Sequence, residues 1–140
     1  MKYKVKFFTG KKVSFDFDGT LSDDFDGTLN PQKSEIRDIL TQVREMGNDV
    51  FIVTKRYSPK NKSKGIINEH IDVLKLASEL KVPGDKVFFT NRELKGEKLS
   101  HLDVDMHFEN SEPECQQINS LNKKIKTILI TDPYWRDLIY

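Results

Sequence analysis

One stretch of this sequence decides the fold, and it reads Val13-Ser14-Phe15-Asp16-Phe17-Asp18-Gly19-Thr20-Leu21. An apolar run leads directly into two aspartates and a glycine, as at the end of a buried strand that enters a tight loop. Because side chains of an extended chain alternate in direction, Asp16 and Asp18 lie on one side of the backbone. Gly19 permits a sharp turn, which the Thr20 hydroxyl can hold. Two clustered carboxylates at a strand end can bind a hard cation, and one of them can act as a nucleophile.

This pattern resembles the first motif of the haloacid dehalogenase (HAD) superfamily, whose commonest members are Mg²⁺-dependent phosphatases. The resemblance implies that Asp16 is the nucleophile that forms an aspartyl-phosphate. It implies that Asp18 is a general acid and base, and that Asp18 also binds the metal through its backbone carbonyl. Within the family, an aspartate at this second position favours phosphatase over ATPase chemistry. A competing interpretation is an acidic turn, or a loop resembling a calcium site, without catalysis.

The core of this motif occurs twice, because residues 24–29 repeat the Asp-Phe-Asp-Gly-Thr-Leu of residues 16–21. The second copy follows Leu21-Ser22-Asp23, which cannot make a buried parallel strand, so we predict that the first copy is the catalytic one. The Asp-Gly pair of the second copy favours a two-residue hairpin turn. Since the family places a small flap hairpin after its first motif, we predict that residues 24–29 form this flap. The alternative is that Asp24 and Asp26 are the active pair.

Composition narrows the class of protein. The 140 residues suit one domain, and 23 Lys and Arg against 22 Asp and Glu give a net charge of +1, too small to attract nucleic acid or an acidic membrane over the whole surface. Cys115 is the single cysteine of the sequence, which excludes an internal disulfide and fits a reducing compartment. The basic start lacks the features of a signal peptide, and no run approaches the ~18 apolar residues of a membrane span. We expect a soluble, cytoplasmic protein.

Apolar patterns further along the chain alternate between strand and helix. The first predicted strand begins at residue 13, and four more cover residues 49–54, 86–90, 104–108 and 126–131. The predicted helices cover residues 31–46, 67–80 and 111–121. Asn30 is the predicted cap of the first helix, and Ser111 and Glu114 have capping-box spacing before the last. Residues 91–99 form a predicted charged loop, and residues 132–140 have no assignment. Residues 3–8 alternate apolar and basic side chains, as expected for the edge strand of a hairpin.

This order predicts an α/β fold, a single Rossmann-like three-layer α/β/α domain over residues 1–140. We expect a mainly parallel five-stranded sheet that is HAD-like, with a flap hairpin but without a large cap. The candidate site residues all follow predicted strands. In a parallel sheet these ends meet at one edge, where such folds bind their ligands.

The resemblance implies further roles for residues at this edge. Thr54 ends an apolar strand, like the family's second motif, whose hydroxyl binds the transferred phosphoryl group. Arg56 is expected to meet a phosphate or base of the substrate. The third motif is a lysine that stabilises the transition state. We predict that Lys98 has this role, and Lys95 is its rival.

The fourth motif of the family commonly offers paired aspartates after the fourth strand, and here Glu109 and Asn110 stand in that place. Glu109 keeps a carboxylate for the metal, whereas Asn110 keeps an oxygen ligand but loses a charge. Because cation affinity depends on ligand charge, we expect weaker Mg²⁺ binding. His107 is predicted to be a packed or hydrogen-bonded histidine rather than a ligand.

The sequence looks most like small phage or bacterial HAD-type phosphatases and nucleotidases. It therefore predicts a Mg²⁺-dependent phosphomonoester hydrolase, and its open site would admit a nucleotide, a polynucleotide end or a phosphoprotein. A basic stretch could collect a nucleic-acid phosphate, at Lys55, Arg56, Lys60, Lys62 and Lys64. The alternative is a HAD-fold binding or regulatory module that has lost turnover, or a phosphate-sensing domain.

Overall fold

The structure, a computed structural model, describes residues 3–60 and 68–140. The strands in these ranges are β1 (Lys12–Phe15), β2 (Asp49–Thr54), β3 (Val87–Phe89), β4 (Met106–Glu109) and β5 (Lys126–Leu129). The helices in the same ranges are α1 (Lys33–Glu45), α2 (Ile71–Glu79), α3 (Gly96–His101) and α4 (Glu112–Leu121), with 3-10 turns at Gly84–Lys86 and Trp135–Leu138.

The five strands form one sheet in the order β3-β2-β1-β4-β5, and every neighbouring pair is parallel. This confirms the predicted parallel α/β architecture, which is compatible with a Rossmann-like fold. The chain moves outward from β1 through β2 to β3, and then crosses back to place β4 on the other side of β1. In such sheets, ligands bind beyond the carboxyl ends of the two strands where the winding direction changes. Here these strands are β1 and β4.

Helices cover both faces of the sheet. One apolar cluster joins strand residues such as Val13 and Ile52 to α1 and α2. A second cluster joins Phe51 and Val53, which point to the opposite face, to residues of α3 and α4 such as Leu99. The strand alternation thus separates two cores, and apolar burial on both sides explains why β2 reads as a continuous apolar run.

The first helix begins later than its predicted cap. Asn30 Oδ1 accepts a hydrogen bond from the Gln32 backbone N–H (3.0 Å), but this bond closes a turn, and α1 starts only at Lys33. By contrast, Ser111 caps α4 as predicted, since its hydroxyl accepts a bond from the Glu114 N–H. Helix α3 was not predicted, and its first residues belong to the loop expected at residues 91–99.

The edge strand expected at residues 3–8 is absent from the structure, although these residues are described. Val5 is buried and its N–H donates to Gln42 Oε1 (2.9 Å), while the Lys6 N–H donates to the Ile139 carbonyl (2.9 Å). The segment is therefore held between α1 and residue 139 by these two hydrogen bonds.

The last residues, which had no assignment, pack against α1. Trp135 and Ile139 are 1% and 2% exposed and belong to the same core as α1. Arg136 forms an ion pair with Glu35 (Nη2 to Oε1, 2.7 Å), and the Tyr140 hydroxyl donates to the same carboxylate (2.8 Å). Glu35 thus ties the end of the chain to the first turn of the helix.

The second copy of the motif forms a turn and not the predicted flap hairpin. The Asp24 N–H donates to the Thr28 carbonyl (2.9 Å), and the Gly27 N–H donates to the Asp24 carbonyl (2.9 Å). The bond between Asp24 and Thr28 leaves three residues in the loop, one more than predicted, and Gly27 adopts φ +92° within it. Residues 24–29 are all described, and none belongs to a strand.

Some predictions fall outside the described residues. These are the start of the second helix at Ile67 and the loop residues Lys62, Lys64 and Gly65. Within the ranges that are described, no helix combines the length and the apolar character that crossing a bilayer requires.

Candidate functional site

Asp16, the predicted nucleophile, lies at the carboxyl end of β1, beside the point where the strand order reverses. Asp16 follows β1 directly, and its N–H donates to the Phe108 carbonyl (2.9 Å), which extends the pairing with β4. Glu109 ends β4, so the two carboxylates come from neighbouring strands. Lys95 Nζ donates to both, at 2.5 Å from Asp16 Oδ1 and 2.8 Å from Glu109 Oε1. The three side chains are 2–7% exposed and form a buried carboxylate–ammonium–carboxylate cluster.

The contact with Asp16 that was expected of Lys98 is made by its rival, Lys95. Lys95 lies just before α3, and its backbone N–H donates to Glu114 Oε1 (2.8 Å), which anchors this residue to α4. Lys98 lies within α3, and its ammonium stands 5.2 Å from the centre of the Phe88 ring. Lys95, and not Lys98, therefore occupies the position beside Asp16 that was predicted for Lys98.

Burial and mutual charge set the protonation of the cluster. Burial, together with the charge of Glu109, raises the pKa of Asp16 above its usual range. Burial alone would also raise the pKa of Glu109, but the Lys95 ammonium and a hydrogen bond from His107 hold it low. Burial would lower the pKa of Lys95, and the two carboxylates raise it instead, so its ammonium is retained. The cluster thus combines two acidic groups with one ammonium, and a further cation would relieve the repulsion.

A buried histidine orients Glu109. His107 Nε2 lies 2.9 Å from Glu109 Oε1, and its Nδ1 lies 2.6 Å from Ser14 Oγ on the paired strand β1. Burial lowers the pKa of His107, so the ring is neutral at pH 7. Because a neutral ring that donates through Nε2 has an unprotonated Nδ1, we assign the Ser14 hydroxyl as the donor to Nδ1.

The turn after Asp16 presses against Asn110. The Thr20 hydroxyl donates to Asp16 Oδ2 (3.0 Å), as a residue that holds the loop should. Gly19 has φ +75°, and a Cβ at this position would overlap the side-chain amide of Asn110 and the carboxylate of Asp24. Asn110 Nδ2 in turn lies 3.4 Å from Asp24 Oδ1. Glycine is therefore required here for its conformation and for space.

Asp18 faces Arg56. The guanidinium donates through Nε and Nη2 to the two oxygens of Asp18 (3.0 and 2.7 Å), which is a forked ion pair. Through Nη1 it also donates to the Asp72 carboxylate (2.5 Å) and the Glu69 carbonyl (2.6 Å). Arg56, predicted to bind substrate, is thus engaged with protein acceptors. Thr54 lies at the end of β2, where its hydroxyl accepts a bond from the Arg56 N–H (3.3 Å).

The residues of the cluster suit a hard divalent cation in type. Within the described ranges, no group of three or more His, Cys, Asp or Glu side chains is placed to hold a metal ion. Mg²⁺, however, is commonly held by one or two carboxylates and completes its shell with substrate and water. Asp16 and Glu109 each turn one oxygen to Lys95. The second Asp16 oxygen accepts a bond from the Thr20 hydroxyl (3.0 Å), and the second Glu109 oxygen accepts one from the Ser111 N–H (3.3 Å), so a metal ion would share these oxygens with hydrogen-bond donors.

A cavity of about 400 Å³ lies next to Gly19 and Asn110, which follow Asp18 and Glu109 in the chain. Its other walls include Asp24, residues 30–32 and Trp135. The described residues that line it do not include Asp16, Lys95 or Glu109, so the cavity adjoins the motif loops and not the ion cluster itself.

Comparisons with protein-family models, with curated proteins and with solved structures give no match. Function has to be inferred from the site, since one fold can support many activities. The structure brings Asp16 and Glu109 together, with Lys95 between the carboxylates. Asn110 lies against Asp24, and the Asp18 side chain is paired with Arg56. His107 is buried and hydrogen-bonded, in agreement with its prediction, but its partners Glu109 and Ser14 were not predicted. A polar serine between Val13 and Phe15 was the sequence feature that could have indicated a buried hydrogen bond.

Proposed function

We propose that this protein is a Mg²⁺-dependent phosphomonoester hydrolase of the HAD type, in which Asp16 forms an aspartyl-phosphate. The observation that carries this proposal is the buried cluster of Asp16, Lys95 and Glu109 at the carboxyl ends of β1 and β4. An ammonium between two carboxylates suits a site that must accept a phosphate dianion and a metal ion at the same place.

In the first step, a carboxylate oxygen of Asp16 attacks phosphorus, and the bond from phosphorus to the leaving oxygen breaks. Asp18 gives its proton to that oxygen, so that an alcohol departs. Lys95 and Thr20 hold the two oxygens of Asp16 by hydrogen bonds, which fixes the plane of the nucleophile. The ammonium of Lys95 also stabilises the negative charge that gathers on the phosphoryl oxygens.

In the second step, water attacks the phosphorus of the aspartyl-phosphate and gives a proton to Asp18. The bond from phosphorus to Asp16 then breaks, and inorganic phosphate leaves with the carboxylate restored. Asp16, Glu109, Asn110 and the backbone carbonyl of Asp18 are the groups that would hold Mg²⁺. When bound, the ion neutralises phosphate charge and helps to orient the phosphoryl group.

The test is hydrolysis of p-nitrophenyl phosphate with and without Mg²⁺. We expect Asp16→Asn to lower kcat by at least about 1,000-fold, because an amide cannot replace the nucleophile. Asp24→Asn is the matched control in the second copy, and it should keep kcat within about threefold, on the scale of catalytic losses. An equal loss in the two variants would overturn the choice of the first copy as the catalytic one.

A second candidate is a phosphate-binding module without turnover. Asn110, which stands in place of an acidic residue, favours it. This candidate predicts that phosphate binds, in a calorimetric titration, while no phosphoester is hydrolysed. If turnover is found, a panel of nucleotides, sugar phosphates and 3′-phosphorylated oligonucleotides would test the predicted nucleotide or polynucleotide substrate.

A further inference from the structure

The second copy of the repeated segment has no part in the mechanism above, yet two of its residues contact the site. Asp24 lies against Asn110, as described above, and Phe25 lies against Arg56. Phe25 lies with its ring centre 4.7 Å from the Arg56 guanidinium carbon. The ring of Phe17 lies 4.9 Å from the same carbon. Phe17 and Phe25 hold equivalent positions in the two copies, so both copies supply an aromatic contact to one arginine.

Phe25 is also joined to a second arginine. Arg92, which follows β3, has its guanidinium carbon 5.3 Å from the Phe25 ring centre and 4.6 Å from that of Tyr57. Arg92 is itself held by a forked ion pair to Glu69 (2.8 Å to each oxygen). These contacts attach the loop of the second copy to the loops that follow β2 and β3.

The fork between Arg56 and Asp18 depends on the plane of the guanidinium. Its side chain is 9% exposed and makes forked bonds to Asp18 on one edge and bonds to Asp72 on another. A fork requires the guanidinium and the carboxylate to be coplanar, and a long side chain leaves that plane easily. An aromatic ring stacked on the guanidinium opposes this rotation.

We propose that the second copy acts as a positioning segment, in which Phe25 holds the plane of Arg56 and Arg56 holds Asp18 for its proton transfers. This inference rests on the proposed role of Asp18. The fork fixes the position of the Asp18 carboxylate. With p-nitrophenyl phosphate the leaving group is a stable anion that can depart without a proton, whereas the second step needs Asp18 in place beside the attacking water. Loss of Phe25 should therefore slow hydrolysis of the aspartyl-phosphate more than its formation.

The experiment compares Phe25→Ala with Phe25→Tyr, which keeps the ring, and with Phe7→Ala. Phe7 is the matched control, because it is an exposed phenylalanine distant in sequence from the repeat and without a contact to Arg56 among the described aromatic pairs. We expect Phe25→Ala to lower kcat for p-nitrophenyl phosphate about tenfold, a part of the 10²–10⁴-fold that a general base supplies. A burst of p-nitrophenol and acid-stable phosphoenzyme should accompany this loss. Phe25→Tyr and Phe7→Ala should behave as the unmodified protein.

A second variant tests whether Phe25 acts through Arg56. Arg56→Lys keeps the charge but loses the fork, and it should also accumulate phosphoenzyme. Adding Phe25→Ala to it should produce little further loss, because residues that act through one another are not additive. Additive losses, or a lower kcat without phosphoenzyme, would overturn the inference.

A measurement without turnover separates this inference from the proposed function. The Nε–H proton of Arg56, assigned in nitrogen-edited NMR spectra by its loss in Arg56→Lys, should exchange slowly with water in the folded protein. We expect Phe25→Ala to speed this exchange about tenfold, and Phe7→Ala to leave it unchanged. An unchanged rate in Phe25→Ala refutes the positioning role even if the protein hydrolyses phosphoesters. An absence of all hydrolysis, with the expected exchange, refutes the proposed function and the role of Asp18 instead.

Discussion

Removal of the Lys95 ammonium is the most direct perturbation of the site. Lys95→Met keeps the length and the apolar stem of the side chain, but it leaves Asp16 and Glu109 without their shared cation. These side chains are 7% and 3% exposed, so water can do little to replace the lost charge. Breaking a buried ion pair costs about 3–5 kcal/mol, and uptake of a proton by the carboxylates keeps the cost near the lower end. Against a typical stability of about 5–15 kcal/mol, this loss is large.

The assay is urea unfolding followed by circular dichroism, together with a thermal melt. For Lys95→Met we expect the free energy of unfolding to fall by about 3 kcal/mol and Tm by about 10 °C. Lys98→Met is the matched control, since it removes a lysine of the same segment whose ammonium lies over an aromatic ring, and it should cost less than about 1 kcal/mol. A Lys95→Met protein as stable as the unmodified chain, or a Lys98→Met protein destabilised equally, would refute the reasoning.

The other predictions concern the glycines of the repeat and the end of the chain. Gly27→Ala, at φ +92° with open space around it, should cost about 1–2 kcal/mol in urea unfolding for its backbone conformation and should keep activity. Gly19→Ala should cost more and also lower the apparent Mg²⁺ affinity in the hydrolysis assay, since its methyl group displaces Asn110; equal effects of the two changes would contradict the described packing. The hydrogen bond from Arg136 lowers the pKa of Glu35, so the stability that this carboxylate contributes is present above its ordinary pKa and is lost as the pH falls through the lowered value. Glu35→Gln should therefore lower stability by up to about 1 kcal/mol near pH 7, and this difference should shrink in melts as the pH falls below 4.5, the ordinary pKa of the carboxyl group. A difference that stays constant as the pH is lowered would exclude the ion pair as its cause.

The sheet could be predicted from the sequence because its strands are buried on both faces. Strand β2 has the bounds that its apolar run indicated, Asp49–Thr54. The alternation of strands and helices was sufficient to predict a parallel sheet, and this in turn placed Asp16 and Glu109 at the same edge. This part of the candidate site follows from topology and requires no knowledge of side-chain contacts.

The position of Lys95 could not be predicted in the same way. It lies in a stretch rich in charged residues, and helix α3 (Gly96–His101) is too short to show an apolar period. Its burial depends on a contact with Glu114, which is 19 residues away on α4. The local sequence contains no sign of such a contact, so it does not distinguish Lys95 from Lys98.

The first segment shows how a strand pattern can mislead. Residues 3–8 alternate as a strand would, and Val5 is indeed buried, but the backbone of this segment finds its partners elsewhere. A side-chain amide of α1 and the carbonyl of Ile139 accept its N–H groups. Apolar alternation reports which side chains are covered, and it does not identify what the backbone pairs with.

The placement of β1 between β2 and β4 also has a consequence for synthesis on the ribosome. Ser14 and His107, which are hydrogen-bonded across β1 and β4, are 93 positions apart. Until β4 emerges, β1 has one unpaired edge, and Asp16 has no Glu109 beside it. A nascent chain arrested before residue 106 would therefore carry the whole repeated segment but none of the assembled cluster, and its open central edge would favour capture by chaperones or aggregation.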